Sequence, residues 1–289
     1  MNGISAIVAT YRRKDELKRL FNSILDNQLM LIEVIVVDQN TDGLIDNVVQ
    51  DYHSKIEIVH LKITEANQSK ARNFGASKAK YPIVCFPDDD CWFENNSLIE
   101  IQRYFENNQD TALLVINWKQ NPNSKITQAF ELSKKDMFSF RSVGYVTYVL
   151  FFQTKIFNEL GGFLESIGIG QYIGGGEDSE LAFRAITRKL KIYFRPDIYV
   201  NHNYIAIYDR PIHILKARQR AMGLMYSLYD IPKYVIVRGF ISPLIKLLFA
   251  FNLKKIKQHF TLFQARIEGY QYGEKNKKKL TNELKDRSL

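Results

Sequence analysis

Read from its amino end, the chain alternates short apolar runs with amphipathic stretches. Ile4 to Ala9 is apolar apart from Ser5 and reads as a strand. Leu17, Leu20, Phe21, Ile24 and Leu25 then recur at helical spacing and share one face. Val34 to Val37 is a β-branched run that ends in Asp38, followed by the turn chemistry of Thr41-Asp42-Gly43 and a second helical stretch. Ile56 to Leu61 alternates as a third strand, Ser69 to Ala79 forms a helix of small residues, and Ile83 to Phe86 is a fourth strand stopped by Pro87. Leu98, Ile101, Tyr104 and Phe105 continue on a helix capped near Asn96 or Ser97.

Strands that alternate with helices predict an α/β fold, a mainly parallel sheet joined by right-handed crossovers. Ligands of such sheets bind in the crevice beyond the carboxyl ends of the strands. Thr10, Asp38 and Asp88 each follow a strand, so all three are predicted to reach one edge. From about 110 to 200 the pattern is mixed. Leu113 to Ile116, Val143 to Phe152 and Ile192 to Phe194 read as strands among glycine-rich loops, and Leu181, Ala185 and Ile186 support a helix from Asp178 to Lys189.

Length and charge refine this division. The 289 residues suit one large α/β domain with an appendage. Residues 1–209 carry 23 Lys/Arg against 26 Asp/Glu, whereas 210–289 carry 17 against 5, so the whole net charge of +9 comes from the last quarter. The expected organisation is a catalytic domain over 1–209, with halves 1–110 and 111–209, and a basic helical region over 210–289. The boundary falls near Tyr208 to Pro211. Two cysteines, Cys85 and Cys91, exclude a disulfide framework, and no targeting signal is read at the amino end, so a reduced cytoplasmic setting is expected.

Two acidic groups carry the candidate chemistry. Asp88-Asp89-Asp90 ends an apolar strand, and three adjacent carboxylates repel unless water or a cation compensates. Mg²⁺ and Mn²⁺ take such oxygen ligands together with substrate phosphates. In an extended segment Asp88 and Asp90 share a face while Asp89 points elsewhere. The bland reading, an acidic surface turn, is disfavoured by Phe86-Pro87 before it and Cys91-Trp92-Phe93 after it. In Gly174-Gly175-Gly176-Glu177-Asp178 the glycines permit close backbone approach, and one acid can remove a proton from an acceptor hydroxyl. Asp178 could equally cap the helix that follows. Asp38 could hydrogen-bond a base or ribose or simply open a turn. Arg72 reads on spacing as a surface helix arginine, and His202 as a structural histidine that could become a third metal ligand.

Taken together these residues resemble family 2 glycosyltransferases of the GT-A (Rossmann-like) fold, over about 1 to 205. The resemblance rests on Ile7-Val8-Ala9-Thr10-Tyr11-Arg12-Arg13, Val34-Ile35-Val36-Val37-Asp38, Ala71-Arg72-Asn73-Phe74-Gly75, Phe86-Pro87-Asp88-Asp89-Asp90, Gly161-Gly162-Phe163 and Gly176-Glu177-Asp178-Ser179-Glu180-Leu181. It departs where Ala9 and Arg12 replace the usual Pro and Asn, and where Gln68-Ser69 lacks a glycine. The resemblance implies that Thr10 and Asp38 hold the nucleotide base, usually uracil, with Arg72 assisting. Asp88 would bind ribose or metal-bound water, Asp89 belongs to the same substrate-binding turn, and Asp90 would ligate Mn²⁺ or Mg²⁺ with His202 nearby. Asp178, with Glu177 beside it, would be the base of an inverting displacement. The implied partners are a UDP-sugar donor and a glycan or lipid-linked glycan acceptor, as in bacterial capsule or O-antigen assembly, and no nucleic acid.

The carboxyl-terminal region is open to two readings. Phe240 to Leu253 is apolar but interrupted by Pro243 and Lys246, and it falls short of the roughly 20 residues a membrane span needs. Lys254, Lys255 and Lys257 flank it, which suits a helix lying in a membrane interface. A helical pair packed on the catalytic domain or on a dimer partner is the equal alternative. Lys275 to Lys279 and the residues beyond read as a solvated tail. Two other functions compete. A sugar-1-phosphate nucleotidyltransferase needs a glycine-rich phosphate loop after the first strand, and Thr10-Tyr11-Arg12-Arg13 has no glycine. A basic nucleic-acid-binding protein leaves both acidic groups unexplained.

Overall fold

The computed structural model describes residues 3–29, 31–120, 126–138, 143, 145–203, 211–248 and 253–286. Four strands, β1 (Ile4–Thr10), β2 (Ile32–Asp38), β3 (Glu57–Lys62) and β4 (Ile83–Cys85), alternate with helices α1 (Asp15–Asp26), α2 (Asp46–Tyr52) and α3 (Gln68–Ala76). They pair in parallel in the order β3-β2-β1-β4. Every residue of β1 is buried, the mark of a strand covered on both faces. Helix α1 turns Leu17, Leu20, Phe21 and Ile24 inward, and Asn67 caps α3 by accepting the Lys70 N–H at 3.0 Å. The predicted carboxyl edge forms as expected, with Thr10 beside Asp38 in the β1–β2 register.

Beyond β4 the sheet changes character. Strand β5 (Cys91–Phe93), helix α4 (Ser97–Asn107), β6 (Leu113–Trp118), β7 (Phe130–Glu131) and α5 (Lys134–Phe138) lead to β8 (Leu150–Gln153), α6 (Thr154–Glu159), α7 (Glu177–Thr187) and β9 (Ile192–His202). The sheet continues β4-β8-β6-β9-β5, with β7 also on β9. Strand β8 runs antiparallel to β4 and β6, and β5 runs antiparallel to β9.

Three readings of the sequence are corrected here. The run from Val143 to Phe152 is a strand only from Leu150, because Thr147 to Val149 forms a 3₁₀ turn that buries Tyr148. The strand at Ile192 runs on to His202, since its alternating polar residues face a half-covered surface. Asp178 does not cap α7: the cap is Gly176, and Asp178 lies inside the first turn, where its Oδ1 accepts the N–H of Ser179 at 2.6 Å. The Tyr208 end of the expected domain boundary lies outside the described residues.

The final region is three helices, α8 (Ile212–Leu228), α9 (Lys233–Leu248) and the 33-residue α10 (Leu253–Lys285). Helices α8 and α10 cross with backbones in contact. A Cβ on Gly223 would lie 2.0 Å from the Arg266 carbonyl oxygen, and one on Gly269 would lie 2.0 Å from that of Arg220. The pair is also bound to the sheet domain. Leu164, Ile167 and Ile173 share a core with Ala221, Leu224 and Leu280, and Glu283 accepts the backbone N–H of Glu165 at 2.6 Å and the Ser166 hydroxyl at 2.8 Å. The segment from Lys275 to Lys285 is therefore a docked helix rather than a solvated tail, since Leu280 is buried and Lys277 donates to the Ser227 carbonyl.

Candidate active site

The site is organised around a buried arginine. Helix α3 carries Arg72 beneath the carboxyl edge, with only 2% of its surface exposed. Its Nη2 donates to Asp88 at 2.7 Å and its Nη1 to Glu177 at 3.2 Å. One guanidinium thus ties together two acidic groups 89 positions apart in the chain. The surface-arginine reading of Arg72 is overturned by this burial: a guanidinium so enclosed needs paired carboxylates. Below it the Phe163 ring lies 5.6 Å from the guanidinium carbon, and Asn73 fixes Phe163 by accepting its N–H and donating to its carbonyl, both at 2.8 Å.

The three aspartates have three environments. Asp88 takes Arg72. Asp89 turns away to accept the Thr10 hydroxyl at 2.8 Å, and burial pushes its carboxyl up to about 6 despite that bond and the nearby Arg13. Asp90 is also partly buried, which alone would raise it, but His202 and Arg13 outweigh burial and hold it at about 2. His202 Nε2 lies 3.1 Å from Asp90, and Arg13 pairs with the other oxygen.

Strand pairing explains the histidine. In the antiparallel β5–β9 ladder Cys91 faces His202, so the residue after Asp90 sets where the imidazole arrives. The ring stacks on Tyr148 at 4.7 Å and 6°, and Tyr148 stacks in turn on Trp118. Ligand atoms of Asp88, Asp90 and His202 lie within 4.8 Å of one another, so the group could hold a metal ion. The donor set suits one, since two carboxylates and an imidazole are ligands a divalent cation accepts, although Arg13 now pairs with one of them, Asp90.

The second acidic pair divides in the same way. Glu177 is buried against Arg72. Asp178 is half-buried, and the surrounding protein pushes its carboxyl up, with the adjacent Glu177 charge adding to this. Gly176 makes the placement possible: its φ is +84°, and a Cβ there would sit 2.7 Å from that of Ala221 on α8.

Residues 5–164 match the family model for Glycosyl transferase family 2, more than half of the chain. The chain belongs to that family. Among solved structures this family 2 chain is similar to S. aureus TarS 1–349, at 16% identity and TM-score 0.65, over 99% of this chain and 89% of that one. TarS 1–349 in complex with UDP-GlcNAc matches at 15% identity and TM-score 0.62, over 96% and 92% of the two chains. Its complex with UDP matches at 18% identity and TM-score 0.63, over 99% and 88%. These likenesses show the GT-A fold. No curated protein matches. The family makes this chain a glycosyltransferase with a nucleotide-sugar donor.

The remaining candidates lie along the same edge of this family 2 domain. Asp38 is buried. Its Oδ1 accepts from the Asn40 N–H at 2.8 Å and from the Asn40 side chain at 2.7 Å, while Oδ2 is 3.1 Å from His60 Nε2. With Asp46 these form a second acidic-histidine group, but Asp46 is taken by Lys62 at 2.7 Å. Sequence reasoning missed Asn40, His60, Arg13 and Tyr148 as parts of the site. Only Arg13, beside Thr10 in the first motif, left a local signal.

Proposed function

We propose that this glycosyltransferase moves a sugar from UDP to an acceptor hydroxyl in one inverting displacement, in the assembly of a bacterial surface polysaccharide. The observation that carries the reading is the Arg72 bridge, because it holds the start of α7, and so Asp178, in one cleft with the 88–90 turn. Thr10 and Asp38 hold the base, and Asp38 is oriented for this by Asn40 and His60. Asp89 anchors Thr10. Arg72, whose Nη atoms are committed to carboxylates, positions Asp88 and Glu177 rather than meeting the base.

Asp178 removes the acceptor proton as the acceptor oxygen attacks the anomeric carbon. A base works best with a pKa near the working pH, and the upward push on Asp178 is in that direction. Glu177 serves by holding Arg72. Mn²⁺ or Mg²⁺ bound by Asp88, Asp90 and His202 would supply Lewis-acid neutralisation of the departing diphosphate.

The test is UDP release across a panel of nucleotide sugars, with Mn²⁺, with Mg²⁺ and with chelator. The expected result is metal-dependent release from one or a few donors, abolished by Asp90→Ala. Release that persists in chelator would overturn the metal assignment. Pyrophosphate release from a nucleoside triphosphate and a sugar 1-phosphate would instead identify a nucleotidyltransferase.

A further inference from the structure

Helix α9 has two unlike faces. Val235, Gly239 and Pro243 are buried, and Phe240 meets Tyr226, Phe263 and Tyr270 of the neighbouring helices. On the other side Tyr234, Val237, Ile241 and Ile245 are 67%, 53%, 44% and 48% exposed. They are spaced three, four and four residues apart, so they form a single narrow stripe along the helix. An isolated exposed leucine or valine is ordinary, but four large apolar residues in register on one helix are an unpartnered surface. Exposed Ile256 and Phe260 lie one turn apart near the start of α10, which packs beside α9.

Charge indicates what covers this stripe. Residues 231–267 contain seven Lys/Arg and no Asp or Glu. Lys233 begins α9 beside Tyr234, and Lys255 and Lys257 flank Ile256. A second copy of this region would bring like charges together. An acidic protein would satisfy the charge but has no need of a stripe of aliphatic and aromatic side chains along a single helix. An anionic bilayer satisfies both, taking the apolar side chains into its interfacial zone and the cations among its headgroups. No helix among the described residues is long and apolar enough to cross a membrane, which leaves α9 lying along the surface.

We propose that α9, through Tyr234, Val237, Ile241 and Ile245, docks this enzyme in plane on an anionic lipid surface. The inference is independent of the donor and of the chemistry at Asp178. Helix α8, which joins α9 through a short turn, also supports Gly176 at the start of the Glu177–Asp178 helix, so α9 is tied to the site domain through α8.

Flotation of the full chain with vesicles provides the test. Phosphatidylcholine vesicles are compared with vesicles that also contain phosphatidylglycerol, at low and high salt. Expected is binding to the anionic vesicles alone, weakened by salt as headgroup attraction is screened, and reduced about tenfold or more by Val237→Glu with Ile241→Glu. Donor turnover with a soluble acceptor and the far-ultraviolet circular dichroism of the double variant should match the parent. Equal flotation of parent and double variant, or no flotation of either, overturns the proposal. So does a self-association that the double variant abolishes, since the stripe would then be an interface between copies. Failure of the UDP-release screen would leave the flotation result standing, so the two readings fail separately.

Discussion

The 88–90 turn and the 177–178 helix start look alike as strings of acid, yet the fold treats their members oppositely. In the turn Asp90 is answered by His202 and Arg13 and held at about 2, while Asp89 is pushed up to about 6 by burial. At the helix start Glu177 is answered by Arg72, and Asp178 is pushed up beside it. Each cluster therefore contains one carboxylate paired with a cationic partner and one whose carboxyl is pushed up by burial. The difference lies in the partners available. The turn has an imidazole beside two carboxylates, a set that could hold a cation. The helix start has half of a shared guanidinium, and that half goes to Glu177 rather than to Asp178.

The comparison can be broken most severely at Asp178. Asp178→Asn should lower kcat by about a thousandfold, the scale of a lost general base, with donor affinity retained. Transfer at the parent rate would remove Asp178 from the chemistry. Next in size is the bridge. Arg72→Met should leave Glu177 as an uncompensated buried charge and the half-buried Asp88 without its partner, and cost about 3–5 kcal/mol in urea unfolding. A loss below about 1 kcal/mol would mean that water already compensates the pair.

Smaller effects sharpen the contrast between the clusters. His202→Ala should raise the metal concentration for half-maximal rate about tenfold and leave the pH profile of kcat alone. Removing Tyr148, which stacks on His202, should have the same sign and a smaller size. The rate itself should rise with pH through about 7, because Asp178 acts as a base only when deprotonated. An otherwise flat profile across that range would contradict the assignment. Stability should show two opposite slopes. Asp89, raised in the folded protein, contributes stability at low pH that is lost as pH rises from its ordinary 3.8 through about 6. Asp90, depressed in the folded protein, contributes stability above 3.8 that is lost as pH falls through about 2. Acid and base titrations of Asp89→Asn and Asp90→Asn separate the two.

Sequence pattern and tertiary structure decided different things. The apolar runs at Ile4, Val34 and Ile83 determined the parallel half, because strands buried on both faces admit few other readings, and the edge residues Thr10, Asp38 and Asp88 followed from it. The two acidic groups were legible as candidates because clustered carboxylates are costly without a purpose. Their division of labour was not legible. Arg72 sits on a short helix of small residues whose pattern says nothing of depth, and only packing against Phe163 and the 177 helix made it a buried bridge. His202 reached Asp90 through the antiparallel pairing of β5 with β9, a contact across more than a hundred residues that no local spacing encodes. The lysine-rich end looked solvated because its apolar residues are sparse, yet Leu280 and the glycine contacts of α8 with α10 were enough to dock it. Sequence fixes which groups can ionise and where strands end; partners, and hence which group keeps its proton, come from long-range contacts that exist only once the chain has folded.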